Sequence, residues 1–480
     1  MKRAVIAIVL ALGALAPQFA ARPASASVPA PDGLAGEPGS PCVRPIVQTG
    51  ASCTFNVWGH VRDADGDVIA ATVRVGTNQA TTNEQGFFDL YLPNPGSYTV
   101  LVESRPGCRV PLRVEVDAAA AIRDGGVRRD VLLPCTRPTY NAFGFAVVQS
   151  GMLVTVARTG VSHSGYAPGR IDWLQSRGAT RAPPRSFIDT AHDDRDAAGG
   201  LTRSGAMVVF YAHFDPVANR WAGMRFVRAA REGSVAGVIG TGDLVSFSPY
   251  GPIVILPSGR LMQTFYGTDA HHVTRIYVSF SGDDGRTWSP IVPIDARPSL
   301  RANEAAAVYL DGATDARARI LMVARADGYV RGKRWFGLVQ YLSTDGGRSW
   351  RRQGAIASTS SRRESIPWLA NLSGGRVAMV WTDRGTLTLK RSIARAADAV
   401  AMRWAPAQIV YRSRVPEMAH PDIGDFGYPS IASYGPEDSR KAIVFNDANP
   451  AGSVGKMVDV DLYAISLWAS PATSPVTISP

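Results

Sequence analysis

Ser281-Gly-Asp-Asp-Gly-Arg-Thr-Trp288 and Ser343-Thr-Asp-Gly-Gly-Arg-Ser-Trp350 both read S-x-D-x-G-x-[ST]-W, and this repeated octapeptide constrains the chain more than any other feature. In each copy an apolar stretch, 275–280 or 336–342, runs into a polar turn. The Ser and Asp side chains can bond nearby backbone groups, and the Gly accepts a backbone conformation closed to other residues. The Trp caps the hairpin. The octapeptide is therefore a staple between two strands and carries no chemistry of its own. Its use is as a ruler for finding repeats.

Laid along the chain, the ruler finds worn versions at 176–180, 228–233 and 392–404. The spacing is about 50 to 60 residues, the length of one four-stranded blade. The units also open alike, with an apolar strand, a Gly turn and a second apolar strand at 145–156, 253–262 and 368–379. A sixth unit starts at Gly427-Tyr-Pro-Ser-Ile431 and continues through 442–445 to 458–463. No long helical periodicity competes. The pattern predicts an all-β chain with a six-bladed β-propeller over 140–470.

The octapeptides resemble the Asp-box, or BNR, repeat of sialidase-like β-propellers. Ahead of them, 55–61, 71–75, 86–90 and 95–102 succeed one another at strand-and-turn spacing. Gly59, Val61, Asp63, Gly86, Phe88, Pro95, Gly96 and Tyr98 resemble the carboxypeptidase regulatory-like (transthyretin-like) β-sandwich over 54–135. That resemblance implies a spacer or a glycan-proximal accessory. Asp63, Asp65 and Asp67 are spaced like the start of a calcium loop, but no acidic residue closes it at the twelfth position, so a plain turn and no metal are expected.

Met1-Lys-Arg, the apolar 4–16 and Ala24-Ser-Ala26 read as a signal peptide over 1–26, followed by a Pro/Gly/Ala/Ser-rich linker over 27–53. A secreted or periplasmic protein with no membrane span, expected to be a monomer, follows from this reading. Cys42, Cys53, Cys108 and Cys135 precede residue 136, so two disulfides are expected there, with three pairings open. Residues 136–480 carry 39 Lys/Arg against 28 Asp/Glu, which favours an anionic ligand, although 46 of the chain's 51 basic residues being Arg also fits compositional bias. No nucleic-acid motif, dinucleotide fingerprint, P-loop, Ser/His/Asp elbow or H-E-x-x-H is present, and no cofactor is implied.

The sialidase resemblance implies a Glu before an apolar strand and an Arg ending the next in unit four, an Arg in unit five and a Tyr in unit six. Glu304, Arg325, Arg384 and Tyr428 stand at those places. Guanidinium forks grip a carboxylate at two points, and a Tyr relieved of its proton by a Glu can attack an anomeric carbon. Two positions depart from the pattern. Asn141 stands where a first-unit Arg is expected, and the loop 158–165 has no Asp to serve as acid. Arg158 or Arg195 can supply the missing guanidinium, and His163, with an imidazole's ordinary pKa of about 6.5, or Asp194 or Asp196, the acid. The expected activity is exo-glycosidic, on a terminal, acidic sugar of a glycan. The altered clamp leaves open a sugar of another kind, as in the similar arabinanases, or a glycan-binding or adhesion propeller without catalysis.

Overall fold

A computed structural model describes residues 55–478 apart from short segments, the longest being 134–139, 161–168, 359–364 and 414–425. The leader and linker, Cys42, Cys53, Cys135, the Cys108 side chain, the 63–67 turn and His163 lie outside the described residues. The all-β expectation holds. Strands dominate, and the described α-helices, Ala118–Arg123 and Ala396–Val400, are short.

Ahead of residue 135 two four-stranded sheets enclose one apolar cluster that includes Val57, Phe88, Leu90, Val100 and Val114. The alternation of Phe87–Leu92 places every second side chain inward, as a sheet with one dry face requires. Gly59 is needed where the chain passes close to its neighbour: a Cβ there would lie 1.9 Å from the Arg129 carbonyl oxygen.

From Tyr140 onward the strands form six antiparallel units, each beginning with an inner strand. These are Tyr140–Gln149, Asp193–Leu201, Leu244–Ile255, Leu300–Asp311, Ser365–Leu372 and Gly427–Ser433. Each inner strand touches the next, and the last touches the first, so they close a ring. The second strands, such as Met207–Asp215 and Arg376–Asp383, are buried almost throughout because they are covered on both faces by neighbouring units. This explains their unbroken apolar runs. One core cluster reaches all six units, through Phe145, Val209, Tyr250, Ala306, Ile366 and Phe445.

Both octapeptides are staples at the end of their sheets. Ser281 Oγ accepts from the Gly285 amide at 2.9 Å, Asp283 accepts from the Thr287 amide at 2.9 Å, and Trp288 donates to the Gly285 carbonyl at 3.2 Å. The second copy repeats these bonds through Ser343, Asp345 and Trp350. In the worn copy of unit five the turn is replaced by the helix Ala396–Val400.

Asp447 bolts unit six to unit five, accepting hydroxyl protons from Tyr411 at 2.8 Å and Ser413 at 3.0 Å. Burial pushes its carboxyl up from 3.8 to about 6, against those hydrogen bonds. The folded chain thus binds this proton more tightly than the unfolded one. That contribution is complete below pH 3.8 and is lost as pH rises through about 6. With each pKa unit worth about 1.4 kcal/mol, roughly 3 kcal/mol is at stake. Asp447→Asn is expected to gain on the wild type by a few kcal/mol between pH 4.5 and 7.5 in urea unfolding. A stability gap that stays constant across that range would refute this account.

Candidate active site

Five of the six inner strands break register against their second strand, and on each of the five one break holds a residue at positive φ. These residues are Phe143 (54°), Asp196 (56°), Gly251 (85°), Glu304 (41°) and Tyr428 (50°). The fifth-unit strand pairs with no break. A bulge turns one side chain out of the pleat's alternation, and holding a non-glycine residue in this region costs on the order of 1–3 kcal/mol. Asp196, Glu304 and Tyr428 come from units two, four and six, which are not neighbours in the ring. They nonetheless feel one another's charge: Glu304 and Asp196 both push the Tyr428 phenol up, and Glu304 pushes the Asp196 carboxyl up.

Burial pushes the Tyr428 phenol well above its usual range, Glu304 and Asp196 push it further, and Arg384 and Arg325 oppose them. The Arg384 guanidinium carbon lies 5.2 Å from the centre of the Tyr428 ring, and its Nε donates to the Phe426 carbonyl at 2.9 Å. Phe143 meets the ring edge-on at 4.5 Å. Glu304 is buried and accepts from Arg325 Nη1 through Oε2 at 2.5 Å. Arg384 and Arg325 expose only 2% and 11% of their surfaces.

Arg195 belongs to this group, acting on Asp196, Tyr266 and Tyr428 and lying 5.9 Å from the Phe143 ring and 5.8 Å from the Trp221 ring. Asp194 does not belong to it. Neighbouring strand residues face opposite ways, and its carboxylate is buried against His213 Nε2 at 2.8 Å, with the Thr190 amide donating at 3.0 Å. Asp196, released from that alternation by the bulge, turns to the Ser248 hydroxyl of unit three, which donates to its Oδ2 at 2.6 Å. Burial raises its pKa, with Arg195 and a Ser248 hydrogen bond opposing the rise and Asp193 and Glu304 adding to it.

Arg158 is likewise corrected. It is fully buried, with Nε donating to Asp193 Oδ1 at 2.7 Å in a slot where a Cβ on Gly169 would lie 2.6 Å from that nitrogen. It ties unit one to unit two and cannot reach a substrate. Asn141, 1% exposed, accepts from Thr159 Oγ1 at 2.9 Å, so the first unit offers Phe143 where a guanidinium was expected.

Sequence reading missed Tyr266 and Tyr250. Burial raises both phenols well above their usual range, and both feel Glu304 and Tyr428. Aromatic residues in apolar strands carry no signal that separates a wall of the hollow from core.

A separate hollow of about 950 Å³ opens at the opposite strand ends, beside the first octapeptide. Three of its four lining arginines are committed. Arg228 pairs with Asp284 and Glu232, Arg286 with Glu232, and Arg203 bonds the Leu256 and Pro257 carbonyls.

No protein-family model matches the chain, and no curated protein matches it in sequence. Among solved structures it is similar to the Hadza microbial sialidase Hz136, with 12% identity, 79% of this chain and 76% of that one covered, and a TM-score of 0.49. It is also similar to Trypanosoma rangeli sialidase in complex with the inhibitor DANA, with 13% identity, 72% and 56% covered, and a TM-score of 0.49. A third is the Penicillium chrysogenum alpha-L-arabinanase complexed with arabinobiose, with 12% identity, 68% and 93% covered, and a TM-score of 0.45.

Proposed function

We propose that the chain is a glycoside hydrolase that removes a terminal, acidic sugar from a glycan with retention at the anomeric carbon. The observation that carries this reading is that Tyr428, Glu304 and Asp196, each at a bulge of its inner strand, feel one another's charge, with Arg384 5.2 Å from the Tyr428 ring and Arg325 paired to Glu304. A phenol whose pKa is raised so far is no nucleophile until a base takes its proton, and the reading gives that role to Glu304, whose charge the phenol feels.

As the Tyr428 oxygen bonds to the anomeric carbon, its proton passes to Glu304. The glycosidic C–O bond breaks, and Asp196 protonates the departing oxygen. Asp196, now ionised, then takes a proton from water, the water oxygen replaces the Tyr428 oxygen, and Glu304 returns the phenol proton. Two displacements restore the original configuration. Arg384, Arg325 and Arg195 form the anion clamp, and the closed setting of the first two suits a carboxylate at a chain end rather than within a chain.

In the same reading, 1–26 exports the protein, 54–135 is an accessory module and 140–470 is the catalytic six-bladed propeller, acting as a monomer. The test is release of fluorophore from aryl glycosides of sialic acid, uronic acids and neutral sugars. Cleavage of an acidic member is expected, with KM raised about tenfold or more by Arg384→Ala, in line with loss of a charge-assisted pair. Cleavage of neutral members alone would overturn the acidic assignment. Glycan binding without turnover of any member would favour the non-catalytic alternative.

A further inference from the structure

Unit three supplies no catalytic group in the mechanism above, yet its inner strand touches the acid directly. Ser248, 2% exposed, donates its hydroxyl proton to Asp196 Oδ2 at 2.6 Å across the boundary between units two and three. Opposite Ser248 in register, on the strand Leu261–Asp269, stands Tyr266, whose phenol lies against the same hydroxyl.

We propose that Ser248 is the positioning residue of Asp196: it fixes the rotation of that carboxyl and reserves Oδ1 for the proton delivered to the leaving group. The proposal rests on the assignment of Asp196 as the acid. A hydroxyl has one proton, and here it is committed to Oδ2. A carboxylic acid whose Oδ2 accepts a hydrogen bond carries its own proton on Oδ1. Without that anchor, a carboxyl on a strained bulge could rotate and present either oxygen. Tyr266 backs Ser248 from the second strand and keeps the hydroxyl from turning toward the hollow.

The other groups acting on Asp196 are Arg195 and Asp193 from its own strand, Glu304 from unit four, Tyr428 from unit six and Tyr266 from unit three. Oδ2 accepts the Ser248 hydroxyl. Ser248 therefore has a separable effect: its bond favours the ionised carboxylate, and removing it makes Asp196 hold its proton to higher pH.

The experiment compares wild type, Ser248→Ala and Ser248→Thr. Asp196 is titrated by 13C NMR of carboxyl-labelled aspartate, with its resonance assigned by its absence in Asp196→Asn. The alanine variant is expected to titrate about one pH unit higher, as loss of one hydrogen bond to a charged group implies. The alkaline limb of its kcat/KM profile should move the same way, with kcat lower and KM within about twofold, as expected when ground-state binding is untouched. Threonine, which keeps the hydroxyl, should restore both. If the alanine variant fails to fold, Ser248→Cys, a weaker donor, should give a smaller upward shift. An Asp196 titration unmoved in the alanine or cysteine variant would overturn the proposal. The titration needs no substrate, so an absence of glycosidase activity would defeat the functional reading while leaving this outcome to be read separately.

Discussion

Tyr428→Phe is expected to lower kcat by at least about 10⁴-fold on every glycoside the protein turns over, because it removes the one atom that bonds to the anomeric carbon. The variant keeps the ring, and with it the edge-on contact to Phe143 and the overlying Arg384 guanidinium. Fold and substrate affinity should therefore change little, and the loss should fall on kcat rather than KM. A second measurement separates a nucleophile from a bystander. With an activated fluorosugar of the cleaved class, wild type should accumulate a covalent adduct that peptide mass spectrometry places on Tyr428, while the variant should form none. Activity within tenfold of wild type, or an adduct on another residue, would remove Tyr428 from the chemistry.

Asp196→Asn should produce a loss that depends on the leaving group. An alkyl or sugar alkoxide needs a proton as it departs, so turnover of natural-type glycosides should fall about 10²–10⁴-fold, the usual worth of general acid catalysis. A nitrophenolate leaves without help, and its release should fall far less. Asparagine is among the residues that best tolerate positive φ, so the bulge at 56° should survive the exchange. The pH profile gives an independent reading. Burial raises the Asp196 pKa, which keeps the acid protonated to higher pH than an ordinary carboxyl, and activity should decline as pH rises through that value. In Asp196→Asn this alkaline limb should vanish. Equal losses on both leaving groups, with the limb retained, would assign the acid elsewhere. Asp194→Asn is the control: its carboxylate bonds His213 and the Thr190 amide, so any loss should appear in stability and leave the limb in place.

The two octapeptides were legible because a hairpin staple is local. The Ser, Asp and Trp hydrogen bonds that close it each span no more than five residues, so the amino-acid order states them directly. Glu304, Arg325, Arg384 and Tyr428 were legible only through their places in successive repeats; in the structure Arg325 pairs with Glu304, and Arg384 lies against the Tyr428 ring. The run Asp193-Asp194-Arg195-Asp196 was not. Its four residues are alike in polarity, and which of them faces the axis depends on one inserted residue in the ladder. The structure sends Asp193 to a buried ion pair with Arg158, Asp194 to His213, and only Arg195 and Asp196 to the hollow.

The order of residues by itself determined that this chain is built of short strands in repeated units, since strand periodicity, Gly turns and staples act over a few residues. Only the tertiary structure decided that Asp194 turns to His213 while Asp196 meets Ser248, and that Arg158 is sealed away. Those outcomes follow from bulges at five of the six inner strands, and a bulge reverses the facing of every residue beyond it. Closing six sheets into a ring sets where the ladder must yield, and that constraint belongs to the whole ring and to no single segment.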